Sequence, residues 1–435
     1  MCHTGSSKIV KGMKQVTTVV IVGMGYVGLP LGQQAARRGF RVIGLEAAPA
    51  IVESLNRGLS HVDDLSDGEV QAMVDAGFVA TTDAAAVKDA DVVVICVPTP
   101  LSPSGGPDLG AVVAAGRAVA EHLVPGTLVI LESTTYPGTT DELLRPILEE
   151  GSGLVAGTDF ALAFSPERVD PGNATFTIEN TPKVVGGYTE MCGSRAAAFY
   201  EQLVDQVAVG RGTREAEMAK LLENTYRHVN IALVNEMARF SNELGIDFWD
   251  VIDLASTKPF GFQAFRPGPG VGGHCIPIDP NYLSHRVKEK LGYPFRFVEL
   301  AQEINASMPA YVVQRIQQIL NEDRRALNGS AVLLLGVTYK PDIADQRESP
   351  AKPLAQNLVA AGAAVSFHDP YVRVWGVEGA VAVAADGLDR AVGESDIVVL
   401  VQNHSAFDVD GLAKGARRFF DLRGVTSPAP HVVRL

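Results

Sequence analysis

The chain has 435 residues, 46% of them hydrophobic and 20% charged, and a formal net charge of −13. That is room for two or three globular domains of ordinary composition. The acidic balance, with no basic tail or stripe, argues against a nucleic-acid surface but leaves room for a local basic pocket around one phosphorylated ligand.

The opening "MCHTGSSKIVKGMKQVT" holds no apolar signal core, and residues 1–16 read as a flexible N-terminus. No apolar run approaches the ~20 residues that span a bilayer. The expectation is a cytoplasmic protein with neither a membrane nor a nucleic-acid partner. The four cysteines, Cys2, Cys96, Cys192 and Cys275, are scattered without metal-ligand spacing. No metal site and no disulfide framework are expected.

The folded part opens on "TTVVIVGMGYVGLPLGQQAARRGFRVIGLE". Thr17 to Val22 read as a buried strand, Leu29 to Arg38 as a helix stopped by Gly39, and "FRVIGLE" as the next strand. Between strand and helix, Gly23, Gly25 and Gly28 form a GxGxxG turn. The first glycine permits the tight turn, the second lets backbone approach a pyrophosphate, and the third allows close helix–strand packing. The helix N-terminus then faces the phosphate charge. Glu46 closes the second strand, where a carboxylate holds a ribose 2′-hydroxyl and repels a 2′-phosphate. The predicted cofactor is therefore NAD rather than NADP.

Further strands follow in "ADVVVICVPTP", "GTLVILEST" and "FALAFSPER". Ligands of open parallel sheets lie beyond the carboxyl ends of strands, which makes Thr99, Thr134 and Glu167 candidates by position. "TREAEMAKLLENTYRHVNIALVNEMARFSNELG" is the longest helical pattern, with Thr213 as its N-cap and Gly245 at its stop. About 31 residues would run roughly 46 Å, long enough to link two domains or to form a dimer seam. Lys220 and Asn224 share one face of it. Its apolar residues, among them Leu221, Leu222, Val229, Leu233 and Met237, spread too widely for one narrow buried stripe. The loop "GPGVGGHCIPIDP" sets one thiol, Cys275, among glycines and prolines, with Asp279 four residues on. After residue 320 a second αβ pattern begins, without GxGxxG. Its loop "YKPDIADQRESP" carries Lys340 and Arg347 at the carboxyl end of a strand, where a second nucleotide would bind.

The motifs "GMGYVG", "VPTP", "ESTTYPGTT", "FSPERVDPGN", "AEMAKLLENTYRHVNIALVNE", "GPGVGGHCIPIDP" and "GVTYKPDIADQRESP" follow one another in the order of a known family. The chain resembles the nucleotide-sugar 6-dehydrogenases, whose best-known member is UDP-glucose dehydrogenase. The resemblance implies an α/β fold of two Rossmann-like doubly wound domains joined by a long central helix. After the flexible stretch at 1–16, it implies an NAD-binding domain at 17–210, a helical dimerisation region with the cysteine loop at 211–320, and a UDP-sugar-binding domain at 321–435. It also implies a homodimer, and oxidation of C6 of a UDP-sugar to a carboxylate with two NAD per turnover, as in polysaccharide biosynthesis. By motif, Cys275 is the nucleophile, with Lys220, Asn224, Asp279, Glu167 and Thr134 as its catalytic group. Gly23, Gly25, Gly28, Glu46, Thr99 and Thr134 are expected to hold the cofactor. Lys220, Asn224, Gly272, Lys340 and Arg347 are expected to hold the substrate, and Arg168 is a candidate donor to a sugar N-acetyl group.

Two stretches depart from the UDP-glucose enzymes. Those tend to read "GGSCFPKD" and "NPEFL"; this chain has His274 before the thiol, Ile278 in place of lysine, and "SPERVDPG". Both departures resemble the UDP-N-acetylhexosamine branch, with UDP-GlcNAc expected ahead of UDP-ManNAc. UDP-glucose remains the alternative sugar. A single-step hydroxyacid dehydrogenase, which shares the nucleotide fold and a lysine–asparagine helix pair but needs no thiol, is the alternative enzyme.

Overall fold

Short runs of valine, isoleucine and leucine become strands buried on both faces, as a parallel sheet covered by helices requires. A computed structural model of the chain describes residues 16–62, 64–102, 106–169, 175–273 and 276–435. The chain divides into two compact units. The first comprises Met1–Thr99, Leu109–Ser133 and Gly138–Glu217, and the second Pro100–Asp108, Thr134–Pro137 and Met218–Leu435.

Among the described residues, the first unit builds an eight-stranded sheet from β1 (Thr18–Val22), β2 (Arg41–Leu45), β3 (Val79–Thr81), β4 (Val92–Ile95), β5 (Leu128–Leu131), β6 (Ala161–Phe164), β7 (Lys183–Gly187) and β8 (Val207–Val209). The order is β3-β2-β1-β4-β5-β6-β7-β8. Strands β1 to β6 are parallel, so their carboxyl ends share one edge, and the order reverses between β1 and β4. A ligand crevice opens at such a reversal. β7 departs from the doubly wound pattern by pairing antiparallel to β6, Phe164 opposite Gly186. Its first residue, Lys183, therefore starts at the edge where β6 ends.

Among the described residues, the second unit builds a six-stranded sheet from β9 (Ala331–Leu335), β10 (Ala364–His368), β11 (Ala380–Ala382), β12 (Ile397–Leu400), β13 (Phe419–Asp421) and β14 (Val432–Arg434). All its pairs are parallel, in the order β11-β10-β9-β12-β13-β14. This repeats the order of β1 to β6 without the glycine turn, the same architecture expected from the restart after residue 320.

The long helix runs Thr213–Glu243, and Gly245 follows in the left-handed region at φ 70°. Thr213 is its first residue rather than a cap outside it, with its hydroxyl bonded to Asp141 Oδ1 at 2.6 Å. Glu217 is buried and accepts from the Gly138 and Thr140 N–H groups at 2.6 and 2.9 Å. One face of the helix beyond Met218 packs inward through Leu221, Asn224, His228, Ala232 and Asn235. A second face exposes Met218, Leu222, Tyr226, Leu233 and Phe240. Among the described residues no helix is long and apolar enough to cross a membrane.

Candidate active site

The three glycines of the turn after β1 differ in what a side chain would meet there. Gly23 sits at φ 92°, and a Cβ there would lie 2.8 Å from the Cys96 carbonyl oxygen. A Cβ on Gly28 would lie 2.0 Å from the Gly23 carbonyl oxygen, so the helix Gly28–Arg37 crosses the turn in direct backbone contact. A Cβ on Gly25 would meet nothing within 4 Å. Fold packing therefore requires the first and third glycines, whereas the second leaves open space for a group to approach the backbone. Glu46 lies beside this turn. Its carboxylate accepts from the Met24 N–H at 3.0 Å and the Ala48 N–H at 3.0 Å. Two backbone donors fix the carboxylate, and its remaining lone pairs can accept from hydroxyls. The residues present fit a dinucleotide: an open backbone approach, a helix N-terminus and a fixed acceptor.

The carboxyl ends of β4, β5 and β6 carry polar residues on the same edge. Thr99 is half-buried beyond β4. Glu167, beyond β6, is half-buried, and its Oε1 accepts from its neighbours' Arg168 and Val169 N–H groups at 2.7 and 2.5 Å. Arg168 turns its guanidinium to the Pro182 carbonyl, 2.6 Å away. Behind Glu167 lies a buried ion cluster that the sequence did not reveal. Lys183 bonds Glu132 and lies 3.4 Å from Glu167 Oε2. The Tyr200 hydroxyl donates to Glu132 Oε2 at 2.7 Å. Burial opposes the Lys183 charge, but the two carboxylates outweigh it and push its pKa up to about 12. Burial lifts Glu132 above the ordinary carboxylate range, against the pull of Lys183. Glu132 closes an apolar strand, a signal like that of Glu167. Lys183 begins one, which offers no clue that its ammonium is buried.

In the second unit, Asn224 and Asp279 come together across 55 residues of chain, Nδ2 to Oδ2 at 2.5 Å. Asn224 is buried and Lys220, one turn earlier, is half-buried. Burial pushes the Asp279 carboxyl up to about 7, while the Lys220 charge and the Asn224 bond hold it down. A carboxyl titrating near neutrality can both take and return a proton. Thr134, half-buried, belongs to the same unit. Cys275 and His274 lie outside the described residues.

The glycines before the thiol pack against the charged loop after β9. A Cβ on Gly272 would lie 2.6 Å from Tyr339 Cβ and 2.9 Å from the Glu348 carbonyl oxygen. The Gly273 N–H donates to the Arg347 carbonyl at 3.3 Å. Gly272 thus owes its lack of a side chain to loop packing, whatever else passes over it. The charged loop itself is clasped by His404. The Asp342 N–H donates to His404 Nδ1 at 2.9 Å, which leaves the ring proton on Nε2, 3.0 Å from Asp369 Oδ2. The Arg347 guanidinium pairs with Asp345, Nη2 to Oδ2 at 2.6 Å, and is exposed. Lys340 is half-buried in the same loop.

Comparison with known proteins gives one answer across the chain. Models of the UDP-glucose/GDP-mannose dehydrogenase family match in three parts: the NAD binding domain at 17–204, the central domain at 214–307 and the UDP binding domain at 333–428. The UDP-N-acetyl-D-mannosamine dehydrogenase of Salmonella typhi is 34% identical over 425 residues, 94% of this chain and 99% of that protein. The UDP-N-acetyl-D-glucosamine 6-dehydrogenase of Pseudomonas aeruginosa is 32% identical over 412 residues, 93% of this chain and 96% of that protein. A solved UDP-D-ManNAc dehydrogenase from Pyrococcus horikoshii superposes with a TM-score of 0.87 at 31% identity, covering 96% of this chain and 98% of that one. With the glycine turn fitted to a dinucleotide and all three family domains matched in order, the chain belongs to the UDP-glucose/GDP-mannose dehydrogenase family and is an NAD-dependent nucleotide-sugar dehydrogenase.

Proposed function

We propose that this enzyme oxidises C6 of a UDP-N-acetylhexosamine from alcohol to carboxylate through a thioester on Cys275. The observation that carries the chemistry is the joining of Asn224 and Asp279, where burial pushes the Asp279 carboxyl up to about 7. NAD, when bound, accepts a hydride in each of the two oxidations. Lys220, or a water held by Asp279, takes the C6 hydroxyl proton as the alcohol becomes an aldehyde. A free aldehyde resists direct loss of a second hydride, because an acylium-like carbon would remain. The Cys275 thiolate adds to it, giving a thiohemiacetal whose carbon is again alcohol-like. Lys220 supplies the positive charge that favours thiolate and then the oxyanion. After the second oxidation Glu167 takes a proton from water, whose oxygen adds to the thioester carbon, and the thiolate leaves.

For the sugar, the support is the pair of stretches "SPERVDPG" and "GGHCIPIDP" together with the printed names of the relatives. UDP-ManNAc and UDP-GlcNAc differ only in orientation at C2. Relatives named for them stand at 34% and 32% identity, so both are tested first and the expected lead of UDP-GlcNAc gains no support from the names. Arg168, with its guanidinium on the Pro182 carbonyl, stays a substrate residue only if the bound sugar reaches it. Steady-state kcat/KM on UDP-ManNAc, UDP-GlcNAc and UDP-glucose decides the matter. An acetylhexosamine is expected to lead UDP-glucose by roughly 10-fold or more, the scale of one filled or empty pocket group. A lead for UDP-glucose overturns the sugar assignment.

The proposed assembly is a two-fold dimer. Its support is the exposed apolar face of the helix Thr213–Glu243, where Met218, Leu222, Tyr226, Leu233 and Phe240 recur at helical spacing. A second copy presenting the same face covers it. Light scattering at micromolar concentration should give twice the chain mass; a monomer contradicts the dimer.

A further inference from the structure

We propose that Lys183 is the positioning residue of the hydrolytic step: shared between Glu132 and Glu167, it orients the Glu167 carboxylate and keeps it ionised. The inference rests on the reading of Glu167 as the base for thioester hydrolysis, and it adds a residue that no motif points to.

The fold places this lysine deliberately with respect to direction. A parallel strand after β6 would begin at the far edge of the sheet. β7 instead runs antiparallel to β6, so its first residue begins where β6 ends. The Lys183 ammonium thereby reaches Glu132 at the end of β5 and comes within 3.4 Å of Glu167 Oε2 beyond β6. Its side chain is 8% exposed and that of Glu132 fully buried, against 17% for Glu167. The cluster thus has an inner carboxylate sealed in the core and an outer one that is less enclosed. Only the outer carboxylate is placed for exchange with a reacting water.

Among the described residues, the groups around Lys183 include Cys96 beyond β4, Glu132 beyond β5, Glu167 beyond β6 and Tyr200, which closes the helix Glu190–Tyr200. Tyr200 donates to Glu132 and so holds the inner carboxylate without adding charge. Burial drives the Cys96 thiol and the Tyr200 hydroxyl well above their ordinary values, so both stay neutral. Lys183 therefore lies against both carboxylates. The second oxygen of Glu167, Oε1, is fixed by the Arg168 and Val169 N–H groups. The carboxylate is clamped on both oxygens, one by backbone and one by Lys183. A base held in this way needs no reorientation when water attacks.

Sharing makes a prediction of opposite signs. An opposite charge within ~4–6 Å depresses a carboxyl pKa by about 1–3 units. Glu132→Gln removes the competitor and leaves Lys183 wholly to Glu167, so hydrolysis should set in at lower pH. Lys183→Met removes the cation, so hydrolysis should set in about 1–3 pH units higher. Because that change also strands Glu132 in the core, the double variant Lys183→Met/Glu132→Gln keeps the cluster's net charge and serves as the folding-safe form. Lys183→Arg should restore the native curve. The readout is decay of the acyl-enzyme, followed by rapid quench and intact-protein mass spectrometry from pH 5 to 9, with NAD and the preferred UDP-sugar. Opposite displacements in Glu132→Gln and the double variant support the inference. Coincident pH curves in all variants, with hydrolysis crippled in Glu167→Gln, overturn it alone. Native-rate hydrolysis in Glu167→Gln overturns the base assignment and the inference with it.

Discussion

Cys275→Ala should form no uronic acid above a trace, a loss of roughly 10^3-fold or more in kcat. Without sulfur there is no thiohemiacetal, and the second hydride must leave a free aldehyde or its hydrate. The first oxidation uses no bond to sulfur, so a slow single-hydride reaction with released aldehyde is expected to survive. Loss of ~10^3 corresponds to about 4 kcal/mol of transition-state stabilisation. The variant should remain folded and bind NAD, because the glycine turn and Glu46 lie in the first unit, far along the chain from position 275. Product analysis by mass spectrometry, with thermal melting as a control, checks this. Full acid production by a folded Cys275→Ala enzyme contradicts covalent catalysis.

The second large effect separates Gly25 from Gly28. A Cβ at Gly28 would sit 2.0 Å from the Gly23 carbonyl oxygen, and a backbone atom cannot step aside as a flexible side chain can. Gly28→Ala must push the helix Gly28–Arg37 away from β1, an overpacking cost of roughly 1–3 kcal/mol or more. In a unit of this size each kcal/mol lowers Tm by about 2–4 °C. A Cβ at Gly25 meets no atom within 4 Å, so Gly25→Ala should melt with the native protein. Its methyl nevertheless fills the space through which a pyrophosphate approaches the backbone, and NAD affinity should fall at least ~10-fold, about 1.4 kcal/mol. Differential scanning fluorimetry and calorimetric titration with NAD read the two effects separately. Normal NAD affinity in Gly25→Ala contradicts the placement of the cofactor.

What the sequence made legible was local. The GxGxxG turn could be read because strand, turn, helix and acid lie within one short stretch, and the steric reasons for Gly23 and Gly28 are those the pattern requires. The two αβ sheets were legible from apolar runs alternating with helical patterns. Lys220 and Asn224 could be set on one helix face by spacing. The union of Asn224 with Asp279, and of Gly272 with Tyr339, joins distant parts of the chain, and no period or spacing encodes such contacts. The same holds for β7. Its apolar pattern says strand but not direction, and direction is what brings Lys183 to Glu132 and Glu167. By type Thr213 reads as a cap, yet its hydroxyl bonds Asp141, 72 residues earlier. Likewise the sequence offers Arg168 as a candidate donor to the sugar, while its guanidinium has a local partner in the Pro182 carbonyl.

The central claim is a four-electron oxidation on one enzyme, and the stoichiometry of NADH to sugar tests it most directly. Limiting UDP-ManNAc or UDP-GlcNAc is run to completion with excess NAD, NADH is read by absorbance and the sugar product by mass. Two NADH per sugar consumed, with carboxylate as the product, is the predicted result. One NADH per sugar, with the aldehyde or another two-electron product left in solution, would contradict the account.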